Sequence, residues 1–336
     1  MLLPFRPKPK EDELLSSWLV RLARGYGMGI DDFLSSTEIG AYIRSSDCDR
    51  IQSAGLVNQL HDCTGTDRKT IERTFLTAHV SPLFSDGVQS RSANWSWLIP
   101  LGRSERSAPP LGFQVCPHCL SDGEVYYRWQ WRVALFFRCM KHRCLLVDQC
   151  PQCGSRIHSY TLSLLGLRHA WGEADGTLEW CDQCSFDFRS ASPRCGRASS
   201  AKAQRALQLG LLSNDQTPNM PADEYFAVLR HIIDLLDGEN TGLEELREVV
   251  AKESGIPRVD PGRSYELDLD ILSIEEMTVE KRELILEAAF WLMDRWPSRF
   301  LKCCRKAGVR HPALNRGKVS IRWFNKAVTE AYKRAS

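Results

Sequence analysis

Cys116-Pro-His-Cys119, Cys139-Met-Lys-His142, Cys150-Pro-Gln-Cys153 and Cys181-Asp-Gln-Cys184 are the four closely spaced pairs on which the reading of this chain turns. Two residues between thiolates let both sulfurs face one ion while the intervening amides point at them. Two such pairs complete a tetrahedral shell, at about 2.3 Å for sulfur and about 2.0 Å for imidazole nitrogen. Pairing in chain order gives a site of three thiolates and one imidazole (Cys116, Cys119, Cys139, His142), with 19 residues between its halves. It also gives an all-thiolate site (Cys150, Cys153, Cys181, Cys184), with 27 between. These spacings suit zinc ribbons, with two zinc ions per chain. Interleaved pairing would thread one loop through the other. Cys144 is an alternative to His142, and His118 or His158 could intrude. A redox reading wants one CxxC on a βαβ pattern, which four clustered pairs do not fit. Both sites look full, so they read as structural. The H-x-E of zinc deaminases and the H-E-x-x-H of metalloproteases are absent.

Between the first two pairs runs residues 126–138, Tyr-Tyr-Arg-Trp-Gln-Trp-Arg-Val-Ala-Leu-Phe-Phe-Arg. Its apolar and aromatic density demands packing against something. Arg128 and Arg132, interleaved with the rings, are alternatively candidates for stacking on nucleic-acid bases.

The flanks read as helical, so the fold is expected to be mainly α with small zinc-ribbon β elements. Asp12-Glu13 opens a segment carrying Leu14, Leu15, Trp18, Leu19 and Leu22 on one face, stopped by glycines 25, 27 and 29. Asp31 is expected to cap a short second helix. Residues 53–63 and 67–77, joined by Thr64-Gly65, read as a helix-turn-helix whose last helix offers Arg68, Lys69 and Arg73 to a phosphate backbone. A helical core with a solvated basic edge fits those residues equally. Residues 198–210 read as a linker or weak helix. Helical stretches are expected at 222–236, 243–252, 279–296, 298–307 and 320–332. Three regions follow: a helical 1–100, a tandem metal-binding 101–197 and a helical 198–336 with a basic tail.

The chain has 336 residues, 44 Lys+Arg against 42 Asp+Glu, and 13 cysteines. The net charge of +2 excludes a uniformly basic coat but hides a division into blocks. Residues 211–300 carry −11, residues 101–210 carry +5 and residues 301–336 carry +9. Within the last block Arg316, Lys318 and Arg322 are the candidates for touching nucleic acid. No apolar run is long enough for a membrane span, and residues 1–10 lack the apolar core of a secretory signal. A cytoplasmic chain with reduced thiols is expected. No Walker A loop, dinucleotide fingerprint or nucleophile elbow is present, which favours a binding protein over an enzyme.

The ordered set of motifs over residues 4–184 resembles the TniQ/TnsD family of transposon target-selection proteins. It comprises Pro4-Phe-Arg-Pro-Lys-Pro9, residues 12–22, Trp97-Leu-Ile-Pro-Leu-Gly102, Cys116-Pro-His-Cys119, Tyr127-Arg-Trp129, Cys139-x-x-His142 and Cys150-Pro-Gln-Cys153-Gly154. The resemblance implies an N-terminal helix-turn-helix region, two zinc fingers, a helical C-terminal part and no catalysis. It implies an adaptor that recruits an AAA+ ATPase transposition regulator. Such adaptors bind target DNA directly or dock, often as homodimers, on a CRISPR Cascade-type effector with its guide RNA. The eight ligands carry over onto the positions named above, and Cys144 becomes a bystander.

Overall fold

The structure, a computed structural model, describes residues 2–43, 47–50, 52–80, 83, 96–99, 112–123, 125–157, 178–181, 183–212, 222–237, 243–259, 273–314 and 321–333. The chain is mainly helical, and β structure among these residues is confined to isolated antiparallel bridges. It divides into two compact units, Met1–Ser81 with Gly87–Cys195 and Pro82–Asp86 with Gly196–Ser336. The regions separated by sequence at residue 100 therefore share one unit. No described helix is long and apolar enough to cross a membrane.

Helix α1, Leu15–Gly25, places Leu15, Trp18, Leu19 and Leu22 fully inside. Asp12 and Glu13 do not cap it. Asp12 pairs with Arg128 and accepts from the Tyr126 hydroxyl at 3.0 Å. Glu13 is fully buried, where it accepts from Lys10 N–H at 2.9 Å, from Ser17 Oγ at 2.8 Å and from Arg21 at 2.6 Å. Burial raises the Glu13 pKa above the usual carboxylate value, against Arg21, which lowers it. The orphan amide of Leu15 instead donates to Thr74 O at 2.9 Å. Helix α2, Ile30–Ser36, starts at Gly29, with Asp31 inside its first turn rather than at the cap.

Helix α3, Ala54–Thr64, is capped by Ser53, and α4, Arg68–Glu72, by Asp67, whose carboxylate accepts from Thr70 N–H at 2.9 Å. Gly65, at φ +66°, makes the turn between them. The expected second helix, 67–77, is thus cut to five residues. The carbonyls that would extend it are engaged elsewhere: Arg73 O with the His79 ring at 2.7 Å and Thr74 O with Leu15. A separate short helix, α5, spans Thr77–Val80.

Residues 126–138 run through the middle of this unit. Tyr127 N–H donates to Ser17 Oγ at 2.8 Å, Leu14 N–H to Tyr127 O at 3.0 Å and Trp129 N–H to Asp12 O at 3.0 Å. Tyr127, Trp129, Trp131, Val133, Leu135 and Phe137 are buried. Arg132 is fully buried too, paired with Asp47 and, at 3.1 Å, with Asp49. Asp49 also accepts from Ser16 N–H and Ser16 Oγ, both at 2.8 Å.

In the second unit, α10, Val279–Met293, packs against α7, Ala198–Leu212, and α8, Ala222–Asp237. It also meets α9, Glu244–Ser254, and α11, Ser298–Lys306. Being enclosed, α10 buries residues around most of its circumference, Ile285, Leu286, Ala289 and Leu292 among them. Its buried Glu283 accepts from Arg197 N–H at 2.7 Å and Ser200 Oγ at 2.6 Å, which fixes the start of α7; of the linker or weak helix expected there, the structure has the helix. A short helix, α12, His311–Leu314, and a last helix, α13, Arg322–Lys333, complete the unit. The expected helical stretches agree with α8 to α11 and α13 to within a few residues.

Removing the Arg132 guanidinium strands two carboxylates in the core, so Arg132→Ala should lower the stability of the first unit by about 3–5 kcal/mol, read from urea unfolding. A loss no larger than that of an exposed arginine, Arg73→Ala, would contradict the role given to it. Asp49 itself is pushed up to about 6 by burial, then by Asp47, against Arg132. The folded chain then holds the proton more tightly than the unfolded one. This group's contribution to stability is full below the ordinary carboxylate pKa and declines as pH rises through about 6. Carboxyl NMR titration in wild type and Asp49→Asn checks the midpoint.

Candidate metal centres

Three of the four pairs are built by one backbone device. Cys139, Cys150 and Cys181 each donate their N–H to the carbonyl five residues on (Cys144, Ser155, Phe186), at 2.8, 2.7 and 2.8 Å. The carbonyl of each of these cysteines in turn accepts from the N–H four residues on (Arg143, Gly154, Ser185), at 2.9 Å every time. That fourth residue has positive φ in all three: +59° at Arg143, +73° at Gly154 and +56° at Ser185. The knuckle so formed turns the side chains at positions one and four toward a common point. The remaining pair is held differently, Cys116 preceding the short helix α6, Pro117–Ser121, and Cys119 lying within it.

Antiparallel bridges bring the pairs together. Val115 and Val147 exchange both N–H···O bonds at 2.8 Å, and Phe113 N–H donates to Ile157 O at 2.7 Å. The result is two groups, Cys116, Cys119, Cys139, His142 and Cys150, Cys153, Cys181, Cys184, each with all four donor atoms within 4.8 Å of one another. In the first, His142 Nδ1 faces Cys116, Cys119 and Cys139 Sγ at 3.5, 3.3 and 3.6 Å, and Cys119 and Cys139 Sγ lie 3.5 Å apart. In the second, Cys150 and Cys184 Sγ lie 3.6 Å apart, and Cys153 and Cys181 Sγ 3.8 Å. The edge of a tetrahedron with 2.3 Å metal–sulfur bonds is about 3.8 Å, so the donors are spaced to close on one ion each. Four N/S donors per ion leave no open position for a reacting water.

The thiols also need a cation for their charge. Contacts with Cys119, Cys139 and Cys144, aided by burial, push the Cys116 thiol up, while contacts with Cys116 and Cys119 pull Cys139 down. Neighbouring sulfurs thus share protons rather than ionise together. At the more open second group, burial raises Cys153, but the Ser155 hydroxyl and amide outweigh it and bring the thiol down to about 6. Ser155 Oγ lies 3.0 Å from Cys153 Sγ and 3.5 Å from Cys181 Sγ, close enough to bond to both.

Two more residues stand beside these donors, and the first of them escapes sequence reading. Asp122 Oδ2 sits 3.0 Å from His142 Nε2. A proton held at Nε2 toward this carboxylate leaves Nδ1 as the free lone pair directed at the three sulfurs. Lys141 holds the same carboxylate from the solvent side at 2.5 Å. Only a carboxylate three residues past a CxxC hints at this in sequence. The other neighbour is Cys144, whose Sγ reaches Cys116 Sγ at 3.6 Å but is not among the four mutually close donors. His118, exposed, stands ring to ring with His142 at 5.2 Å and is not among them either. His158 lies outside the described residues.

The proposed nucleic-acid residues are placed very differently. Arg132 is fully buried on Asp47 and Asp49 and presents nothing to a base, which corrects that expectation. Arg128 is paired with Asp12 and lies over the Tyr126 ring at 4.5 Å, a partly buried internal contact. Arg68, Lys69 and Arg73 are exposed around α4, with Arg68 held by Asn58 Oδ1 at 2.8 Å. Arg322 is exposed at the start of α13, and Arg316 and Lys318 fall outside the described residues.

Residues 4–146 match the TniQ family model. The match takes in α1 to α6, residues 126–138 and the whole first donor group. No curated protein matches the chain. A TniQ domain is associated with transposition target selection or DNA binding.

Replacing Asp122 with Ala should weaken metal binding at the first group about 10–100-fold and leave the second untouched. Chelator competition on the purified chain, read as two separate release steps, checks this. Equal weakening of both steps would mean that Asp122 acts on the fold rather than on His142.

Proposed function

We propose that the protein is a non-catalytic target-site selection adaptor for DNA transposition. It links a target-recognition complex, a CRISPR Cascade-type effector with guide RNA, or target DNA itself, to an AAA+ ATPase transposition regulator. The observation that carries this reading is the match of residues 4–146 to TniQ, spanning the helical region, the central aromatic segment and the first donor group. Closed four-donor groups support a scaffold rather than an active centre, since nothing in them is left to bind substrate. In this reading each group holds a structural zinc ion, two per chain, and the protein works in the bacterial cytoplasm as a homodimer.

A second reading, a site-specific DNA binder acting without an effector, is favoured by the cations on the last helices of the second unit. A direct reader should prefer one duplex over random DNA by ~10³-fold or more at physiological salt.

Co-purification tests the adaptor. An AAA+ ATPase transposition regulator should be retained by the tagged protein and lost when residues 1–146 are deleted. No retention with or without effector or target DNA would sink the adaptor reading. Metal analysis should find about two ions per chain, zinc in both groups. Cys116→Ser or Cys150→Ser should unfold the metal-bearing region, since binding and folding free energy are the same here. A well-folded, metal-free variant would overturn the structural role.

A further inference from the structure

Helices α11 and α13 lie side by side and run in the same direction. At their starts the Trp296 ring stacks on Phe300 at 5.2 Å and on Trp323 at 5.1 Å, and Phe300 meets Phe324 at 5.7 Å. At their ends the Tyr332 hydroxyl donates to Val309 O at 2.6 Å. The apolar sides, Phe300, Leu301, Cys304, Phe324 and Val328, face inward.

The outer side of this pair is cationic. Arg295, Arg305, Arg310, Arg322 and Lys326 are exposed, and none has an ion pair among the described residues. Their neighbours show the contrast: Lys302 and Lys306 are met by Glu253 at 3.8 and 2.5 Å, and Arg299 by Asp294 at 3.2 Å. Glu330 is the one carboxylate in residues 295–333. Arg322 and Lys326 are one helical turn apart on α13, while Arg305 and Arg310 flank its far end, where Arg305 acts on Tyr332. The carboxylates of the acidic −11 block have therefore neutralised one edge of α11 and left the outward edge bare.

We infer that this α11–α13 face is a contact surface for the phosphate backbone of double-stranded DNA. Four of its five cations are arginines, whose planar donors pair bidentately with phosphate. Spread over two helices and the turns beside them, they match a polyanion with one charge per about 1.7 Å of axis better than a single small anion. The choice of DNA over another polyanion rests on the target-selection reading above. The surface itself rests on charge and exposure alone, and is distinct from the candidate cations around α4.

The test is fluorescence anisotropy of the full-length protein with a labelled mixed-sequence duplex of roughly 30 base pairs, titrated between about 50 and 200 mM salt. Neutralising four or five phosphates gives a slope of log K against log salt of about −3.6 to −4.5. Arg322→Ala with Lys326→Ala, and separately Arg305→Ala with Arg310→Ala, should each flatten the slope by about 1.8. Lys302→Ala, already countered by Glu253, should change it far less. These side chains are exposed, so thermal unfolding should be unchanged. A wild-type slope flatter than about −1, or pairs of variants that keep the full slope, would overturn the assignment. So would binding of an acidic protein at this face with no affinity for duplex. ATPase capture is read both with and without DNA, and its arm without DNA survives or fails independently of this result.

Discussion

The first unit depends on one interaction, the buried ion triad of Arg132 with Asp47 and Asp49. Three stretches far apart in sequence meet there. Ser16 brings the start of α1 through two bonds to Asp49, Leu76 N–H donates to Asp49 O at 2.8 Å, and Arg132 brings the central segment and, through Ile99 N–H to its own carbonyl at 2.8 Å, the connection near residue 99. A buried charge set of this kind adds little net stability compared with a well-packed apolar one, but breaking it is costly. Its value lies in register. A shift of one residue in 126–138 would leave two carboxylates without a cation and Tyr127 N–H without Ser17.

The metal-donor groups sit on the frame thus fixed. Val115 and Val147, which join the first two pairs, flank a segment already tied to α1 at Leu14, Ser17 and Asp12. This coupling explains why the TniQ match crosses from the helical region into the metal-bearing region without a break. The second unit has its own counterpart in Glu283, Glu287 and Arg197, a polar cluster at the base of α10 that fixes where α7 begins.

Local spacing made the donors legible. Two residues between ligands is a property of one turn, and the structure brings together the same eight residues that chain-order pairing had grouped. The helices of the second unit were legible for the same reason, their apolar period being written within each stretch. What could not be read depended on distant partners. Arg128 and Arg132 looked like base-stacking cations because Asp12, Asp47 and Asp49 stand more than eighty residues away. The second helix of the helix-turn-helix looked longer because its competing hydrogen-bond partners, Leu15 and His79, do not belong to its own pattern. Among the described residues the small β elements are isolated bridges, and each knuckle closes on itself through its own backbone bonds.

The three knuckles carry a consequence for the order in which this protein is assembled. Each requires a left-handed residue, and glycine occupies only one of the three positions; Arg143 and Ser185 hold that conformation at a cost of about 1–2 kcal/mol each. Each turn is closed by its own pair of backbone hydrogen bonds, which hold the left-handed residue in place. The first donor group is complete once residue 142 has been made, the second only after residue 184. The donors of the first centre are therefore all present while those of the second are still being synthesised.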